Sequence, residues 1–281
     1  MPRFVVDANY ATAPELRDWF EGGPDHVAVL TDYFAIEAYR RGSAVAVAKQ
    51  FAILAEFPHQ VVIARDTGSL SALPAQAEHG ATRVIDPSAT CGFPQFCREL
   101  RRANGHAVLE RAIRKHLDAA EAQLDRMLAG VEQFGAAMNT LAREFHPADL
   151  KSIRKPGVPY SAGAIATMLE HIVHLTWLLF EEHPTAVRPL SVEQLPHTFL
   201  FRAALCGYLS WKERIADGST VNVRPETLRN DLVDAFHCAT ALYFDGLFTN
   251  DRRAAHVHQE ARALMNELFS RVNAIADPDR S

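Results

Sequence analysis

Five acidic residues stand where chain elements begin or end: Asp7, Glu37, Asp231, Asp234 and Asp251. Asp7 closes the apolar run Phe4-Val5-Val6. Glu37 lies one turn into the segment that follows a second apolar run, His26–Leu30. Asp231 and Asp234 head a late apolar helix, and Asp251 follows Gly246-Leu247-Phe248-Thr249. Ionised carboxylates accept hydrogen bonds and donate none, so several of them at one place repel strongly without a cation. Hard divalent ions such as Mg²⁺ or Mn²⁺ take such oxygen ligands and keep water in their remaining positions. An ion of this kind makes water nucleophilic at neutral pH and stabilises charge on an attacked phosphate. The chemistry these residues suggest is metal-dependent phosphodiester hydrolysis, with no side chain required to act covalently.

The elements needed to gather these acids are legible in order. Phe4–Val6, His26–Leu30 and Gln60–Ala64 are short, continuous apolar runs, which read as buried strands of a parallel sheet covered on both faces. Between them lie a helix opened by Pro14, a helix Tyr33–Arg41 capped by Thr31 or Asp32, and an Ala/Val-rich helix stopped by Pro58. From Gly68 to Pro94 the pattern dissolves, with Thr82–Asp86 readable as a strand or an ordered loop. Long helical periodicities follow, roughly Phe96–Ala103, Ala107–Phe145, Ala162–Glu182 and Thr198–Ala216. The next strand is Gly246–Thr249, and a last helix runs over Arg253–Ala274. This order predicts an α/β fold in three parts: 1–95 as the first part of a sheet domain, 96–221 as an inserted all-α region, and 222–281 as the second part of the sheet domain. In a parallel sheet, strand ends and the starts of following helices share the carboxyl edge, which would bring Asp7 and Asp251 together.

Composition narrows the class. A net charge of −5 does not advertise nucleic-acid binding, although clustered acids bias the sum and leave room for local basic patches. The four cysteines form no C-x-x-C pair, which argues against a zinc ribbon or a redox motif. With no signal-like opening they read as reduced thiols, and the expectation is a cytoplasmic protein. The apolar stretches Ile172–Phe180 and Thr198–Leu209 read as too short or too interrupted to span a bilayer. No phosphate-binding glycine loop and no G-x-S-x-G elbow is present.

Each acid also has a plain structural reading. Asp7 can end a strand and cap a turn, Glu37 can be a solvated helix residue, and Asp231 and Asp234 can answer a helix dipole in a first turn. Asp32 reads as a cap, Asp245 as structural, and Asp66 is open. The pair His171/His174 beside Glu170 has metal-like spacing but no matching set on another helix, and His237, next to the acids, can touch substrate but reads more readily as a packing residue. Basic residues over Phe96–His116 (Arg98, Arg101, Arg102, Arg111, Arg114, Lys115) and at Lys151, Arg154 and Lys155 suit solvated faces as well as phosphate contacts. Arg252 and Arg253, next to Asp251, are the stronger candidates for substrate binding.

Three pieces together resemble the PIN-domain nucleases: Val5-Val6-Asp7-Ala8-Asn9, Thr31-Asp32-Tyr33-Phe34-Ala35-Ile36-Glu37, and Asp234-Ala235-Phe236-His237-Cys238-Ala239-Thr240-Ala241 with Thr249-Asn250-Asp251. The resemblance covers about 1–66 and 225–255. It implies a parallel sheet with an Mg²⁺ or Mn²⁺ site that cleaves RNA, and Asp7, Glu37, Asp234 and Asp251 as the acidic quartet. Asp231 competes with Asp234, because one branch of the family writes this region with an Asn-Asp pair like Asn230-Asp231. Asn9 and Thr249 would orient the acids from behind. The resemblance further implies RNA as substrate, an antitoxin or other protein as a partner class, and homodimers as a common assembly. A toxin, a defence nuclease and an RNA-processing enzyme all fit it. The helical middle departs from a minimal member of the family. The rival readings are a PIN-like scaffold that binds a protein or RNA partner without effective catalysis, and a structure-specific DNA nuclease using the same site.

Overall fold

The computed structural model describes residues 1–40, 43–75, 80–102, 138–141, 143–153, 160–183, 185–216 and 223–276, with Arg111, Arg114, Lys115, Asp118 and Ala122 between them. Most of the helix expected over Ala107–Phe145 therefore lies outside the described residues, as do Arg154 and Lys155. The first part runs β1 (Arg3–Val6), α1 (Pro14–Glu21), β2 (Val27–Leu30), α2 (Asp32–Tyr39), α3 (Ala44–Gln50), α4 (Ala52–Glu56) and β3 (Val61–Ile63). Then come α5 (Thr67–Ser71), α6 (Gly80–Val84), α7 (Pro87–Arg102), α8 (Pro147–Ile153), α9 (Ala162–Glu182) and α10 (Phe199–Ala216). The chain closes with α11 (Pro225–Ala241), β4 (Gly246–Phe248) and α12 (Arg252–Ala276).

The four strands form one all-parallel sheet in the order β3-β2-β1-β4. The chain builds outward from β1 through β2 to β3, then returns to add β4 on the other side of β1. Neighbouring connections thus diverge between β1 and β4, which is the switch point where crevices open at the carboxyl ends of strands. The register places Val5 opposite both Val29 and Leu247, and Val6 opposite Phe248. Gly246 is required at the start of β4, because a Cβ there would stand 2.3 Å from the ring of Phe4. That ring stacks on Phe248 at 4.8 Å between centroids.

Side-chain alternation along the strands fills two cores. Val6, Ala28, Leu30 and Val61 join Leu16, Phe20, Phe34, Leu54, Phe93 and Cys97 on one face. Val5 and Val29 join residues of α9, α10, α11 and α12 on the other, among them Ile172, Leu205, Leu209, Cys238 and Val257. The helices between β3 and β4 are therefore not all remote from the sheet. α10 packs on α9, α11 and α12 and supplies the cover of one face, while α7 crosses residue 96 and packs against β3 on the other.

Local chemistry accounts for several boundaries that differ from the sequence pattern. The Ala/Val-rich helix is broken in two at Phe51, whose backbone (φ −91°, ψ 4°) leaves the helical region. Residues 82–84, read as a strand or loop, belong to α6, and only Ile85 bridges antiparallel to Ala64. The Ser/Ala/Gly/Pro-rich stretch 68–94 contains α5, α6 and the first half of α7, with Pro94 inside that helix. Asp66 starts α5 by accepting the Ser69 N–H at 3.0 Å, and Asp245 ties β4 to β1 by accepting the Arg3 N–H at 2.7 Å. The apolar run read as Ile172–Phe180 extends to the 21-residue α9, which is long and apolar enough by length and composition to cross a membrane. Here its Met168, Ile172, Leu175 and Phe180 pack into the core beside α10, while Ile165 and Leu178 are exposed.

Candidate functional site

Asp7 sits one residue beyond β1 and is 3% exposed. Its N–H donates to the Phe248 carbonyl at 2.9 Å, so the ladder between β1 and β4 continues up to the acid itself. Oδ2 accepts two side-chain hydrogen bonds, from Asn9 Nδ2 at 2.6 Å and from Thr249 Oγ1 at 2.7 Å. Oδ1 takes only the long contact from the Asn9 N–H at 3.3 Å. Asn9 in turn accepts from the Asn250 N–H at 2.8 Å, and Thr249 Oγ1 accepts from the Asp251 N–H at 3.0 Å. Asn9 and Thr249 thus lock the loop after β1 to the loop after β4, behind two acids at once.

Asp251 caps the last helix. Its Oδ1 accepts the N–H groups of Arg253 at 2.7 Å and Ala254 at 3.0 Å. The orphan donors of the first turn therefore hold one oxygen of this carboxylate.

Glu37 reaches the site because α2 and α11 pack together. The Tyr33 and Phe236 rings stack at 5.1 Å with 7° between planes, within a small cluster that also holds Ile36 and Val233. Thr31 caps α2, accepting the Phe34 N–H at 3.2 Å, and Asp32 is turned to Thr67, accepting its N–H at 2.9 Å. Burial raises the pKa of Asp32 despite those bonds.

Asp231 and Asp234 do not head their helix. It starts at Pro225, which puts them in its second and third turns, beyond the reach of the helix dipole at the amino end. Their surroundings differ. Asp231 is ion-paired with Arg214, a buried guanidinium, and its Oδ1 lies 3.5 Å from Arg253 Nη1. Asp234 is pushed up to about 8 from an ordinary 3.8, first by burial and then by the charges of Asp7, Asp251, Glu37 and Asp231. A neutral or cation-bound carboxyl is what that environment favours.

One further residue belongs to this group. His237, three positions after Asp234 on the same helix face, is 1% exposed. One ligand atom from each of Asp7, Glu37 and His237 lies within 4.8 Å of the others. Its Nδ1 is 3.1 Å from Thr31 Oγ1, and its buried Nε2 has no hydrogen-bond partner among the described residues. Burial lowers its pKa. The Asp234-x-x-His237 spacing is the sequence signal that points to this residue.

Of the basic candidates, Arg253 is half-buried and engaged by Asp231, while Arg252 is exposed at the first position of α12. Arg98 and Arg101 are exposed on α7, which flanks β3 at the edge of the sheet away from β4. His171 is a buried polar link between Tyr208 Oη at 2.9 Å and Glu144 at 3.0 Å, and His174 is exposed.

The donor set fits a divalent cation. It offers carboxylate oxygens of Asp7 and Glu37 from two separate elements, an acid held up in pKa by its neighbours, and a buried imidazole nitrogen left without a partner among the described residues. Fold and site together define an α/β protein with a parallel sheet and an acidic cluster at its carboxyl edge, between β1 and β4 and reached from α2 and α11. Comparison with known proteins returns no matching family model, no similar curated protein and no similar solved structure. The functional reading therefore rests on this geometry.

Proposed function

We propose that this chain is a metal-dependent endoribonuclease with a PIN-like core, hydrolysing RNA phosphodiester bonds. The observation that carries the reading is the Asp234 carboxyl, surrounded by Asp7, Glu37 and Asp251 at the switch point of a parallel sheet. Asp7, Glu37, Asp234 and Asp251 would hold Mg²⁺ or Mn²⁺. Such an ion supplies charge neutralisation at the phosphate and lowers the pKa of water. The protein's own part is placement. Asn9 and Thr249 fix the orientation of Asp7, and Asp251 is held on the amino end of α12. The contacts of Asp231 with Arg214 and Arg253 support Asp234, and not Asp231, as the ligand in this reading. Arg252, exposed on the first turn of α12, would meet a substrate phosphate, since the acids themselves repel RNA.

The test is cleavage of a labelled single-stranded RNA by purified protein with Mn²⁺ or Mg²⁺, beside EDTA controls and a matched DNA. Asp7→Asn keeps the shape of a buried side chain and removes its charge, so cutting should fall by at least about a hundredfold with folding intact. Cleavage that is equally fast in EDTA or in Asp7→Asn would overturn the reading. DNA cut in place of RNA would replace the substrate class while keeping the site.

A further inference from the structure

We propose that His237 Nε2 is a nitrogen ligand of the bound ion, and that Thr31 sets the imidazole for that task. The inference rests on the reading of the acids as a metal site and adds to it a donor of a different kind. His237 is buried, and Nε2 has no partner among the described residues, although a buried polar atom left so normally costs stability. The ring is not isolated, because one of its nitrogens and carboxylate oxygens of Asp7 and Glu37 lie within 4.8 Å of one another.

The other ring nitrogen explains the orientation. Nδ1 lies 3.1 Å from Thr31 Oγ1, which also accepts the Phe34 N–H at 3.2 Å as the cap of α2. A hydroxyl oxygen has two acceptor positions, so one can serve the helix cap and the other an Nδ1–H. With the proton on Nδ1, Nε2 presents a lone pair, which is how ligating histidines are commonly fixed by a partner on the far nitrogen. Thr31 then joins two events: it starts the helix that carries Glu37 and orients the histidine beside Glu37. Imidazole suits transition metals, whereas an all-oxygen set suits Mg²⁺. This site should therefore favour Mn²⁺ over Mg²⁺, and His237 should set the margin.

A second carboxylate–histidine group, Glu213, His256 and Glu260, makes a useful control. There the Lys212 ammonium already sits among the acids, bonded to Glu260 and 3.4 Å from Glu213, and His256 is exposed.

The experiment is titration calorimetry with Mn²⁺ and with Mg²⁺, plus electron spin-echo spectroscopy of the bound Mn²⁺, on wild-type, His237→Gln and His256→Gln protein. The wild-type spectrum should show ¹⁴N coupling that persists in His256→Gln and vanishes in His237→Gln. In His237→Gln the Kd for Mn²⁺ should rise about tenfold or more, and that for Mg²⁺ less than about threefold. Mn²⁺ bound by wild-type protein without ¹⁴N coupling, or with coupling lost only in His256→Gln, overturns this proposal and leaves the acidic site standing. Failure of Mn²⁺ to bind wild-type protein at all overturns both. Should His237→Gln not fold, the wild-type and His256→Gln spectra decide the matter.

Discussion

Replacing Asp234 by asparagine should stabilise the metal-free protein at alkaline pH while destroying its response to metal. The carboxyl titrates near an ordinary 3.8 in the unfolded chain and near 8 in the fold, raised by burial and by Asp7, Asp251, Glu37 and Asp231. The folded state therefore holds more protons than the unfolded state between those values. The favourable contribution of the protonated group is complete below about pH 4 and is lost as pH rises through about 8. The full gap corresponds to a ceiling of about 6 kcal/mol. Asp234 is only half-buried, so solvent screening reduces the effect to about 2 kcal/mol. Asparagine stays neutral at every pH, so the variant escapes the loss. The assay is thermal or urea unfolding of both proteins in EDTA at pH 5, 6.5 and 8, repeated with excess Mn²⁺. Acids common to both proteins cancel in the difference. The variant should be the more stable protein, by a margin that is smaller at pH 5 than at pH 8, where it reaches about 2 kcal/mol, roughly 5 °C in Tm. Excess Mn²⁺ should close that gap by stabilising wild-type protein far more than the variant. A variant less stable than wild-type at pH 8 in EDTA, or a difference independent of pH, would refute the electrostatic argument.

Two further outcomes follow from the same geometry. Asp231→Asn replaces a charged partner of the buried Arg214 by a neutral one and should cost about 1–3 kcal/mol in urea unfolding. On the proposed ligand set it should change the Kd for Mn²⁺ less than about threefold, because Asp231 is already engaged by Arg214 and Arg253. Thr249→Val keeps the shape of the side chain but deletes the hydroxyl that donates to Asp7 and accepts from the Asp251 N–H. Calorimetry should show Mn²⁺ affinity weakened about tenfold or more, with little change in the unfolding midpoint.

The neighbours of His237 show why its spacing from Asp234 was a weak signal in the sequence. On its own helix it stands among Phe236, Cys238 and Ala239, which makes it look like packing. Its setting comes from Thr31 at Nδ1 and from Asp7 and Glu37 beside the ring, at separations of about two hundred residues. The choice between Asp231 and Asp234 was hidden for a similar reason. Both are acids on an apolar helix three residues apart, and only the tertiary structure brings Arg214 of α10 and Arg253 of α12 to one of them. The region after β3 misled through composition: Gly, Pro and Ser are poor helix formers, yet tertiary contacts of Phe93, Cys97 and Leu100 hold α7 against the sheet.

What the sequence determined by itself is local and periodic. Continuous apolar runs of three to five residues specify buried strands, and an acid within a few residues of such a run emerges near the strand's end. Asp7 and Asp251 were legible on that ground, as were the parallel α/β class and the helix carrying Glu37. Which acids face one another was decided only in three dimensions. The strand order β3-β2-β1-β4 puts the ends of the first and last strands side by side, and the Tyr33–Phe236 stack draws α2 onto α11. Coulomb repulsion depends on distance through space, so the cluster that calls for a cation exists only after the chain has closed on itself.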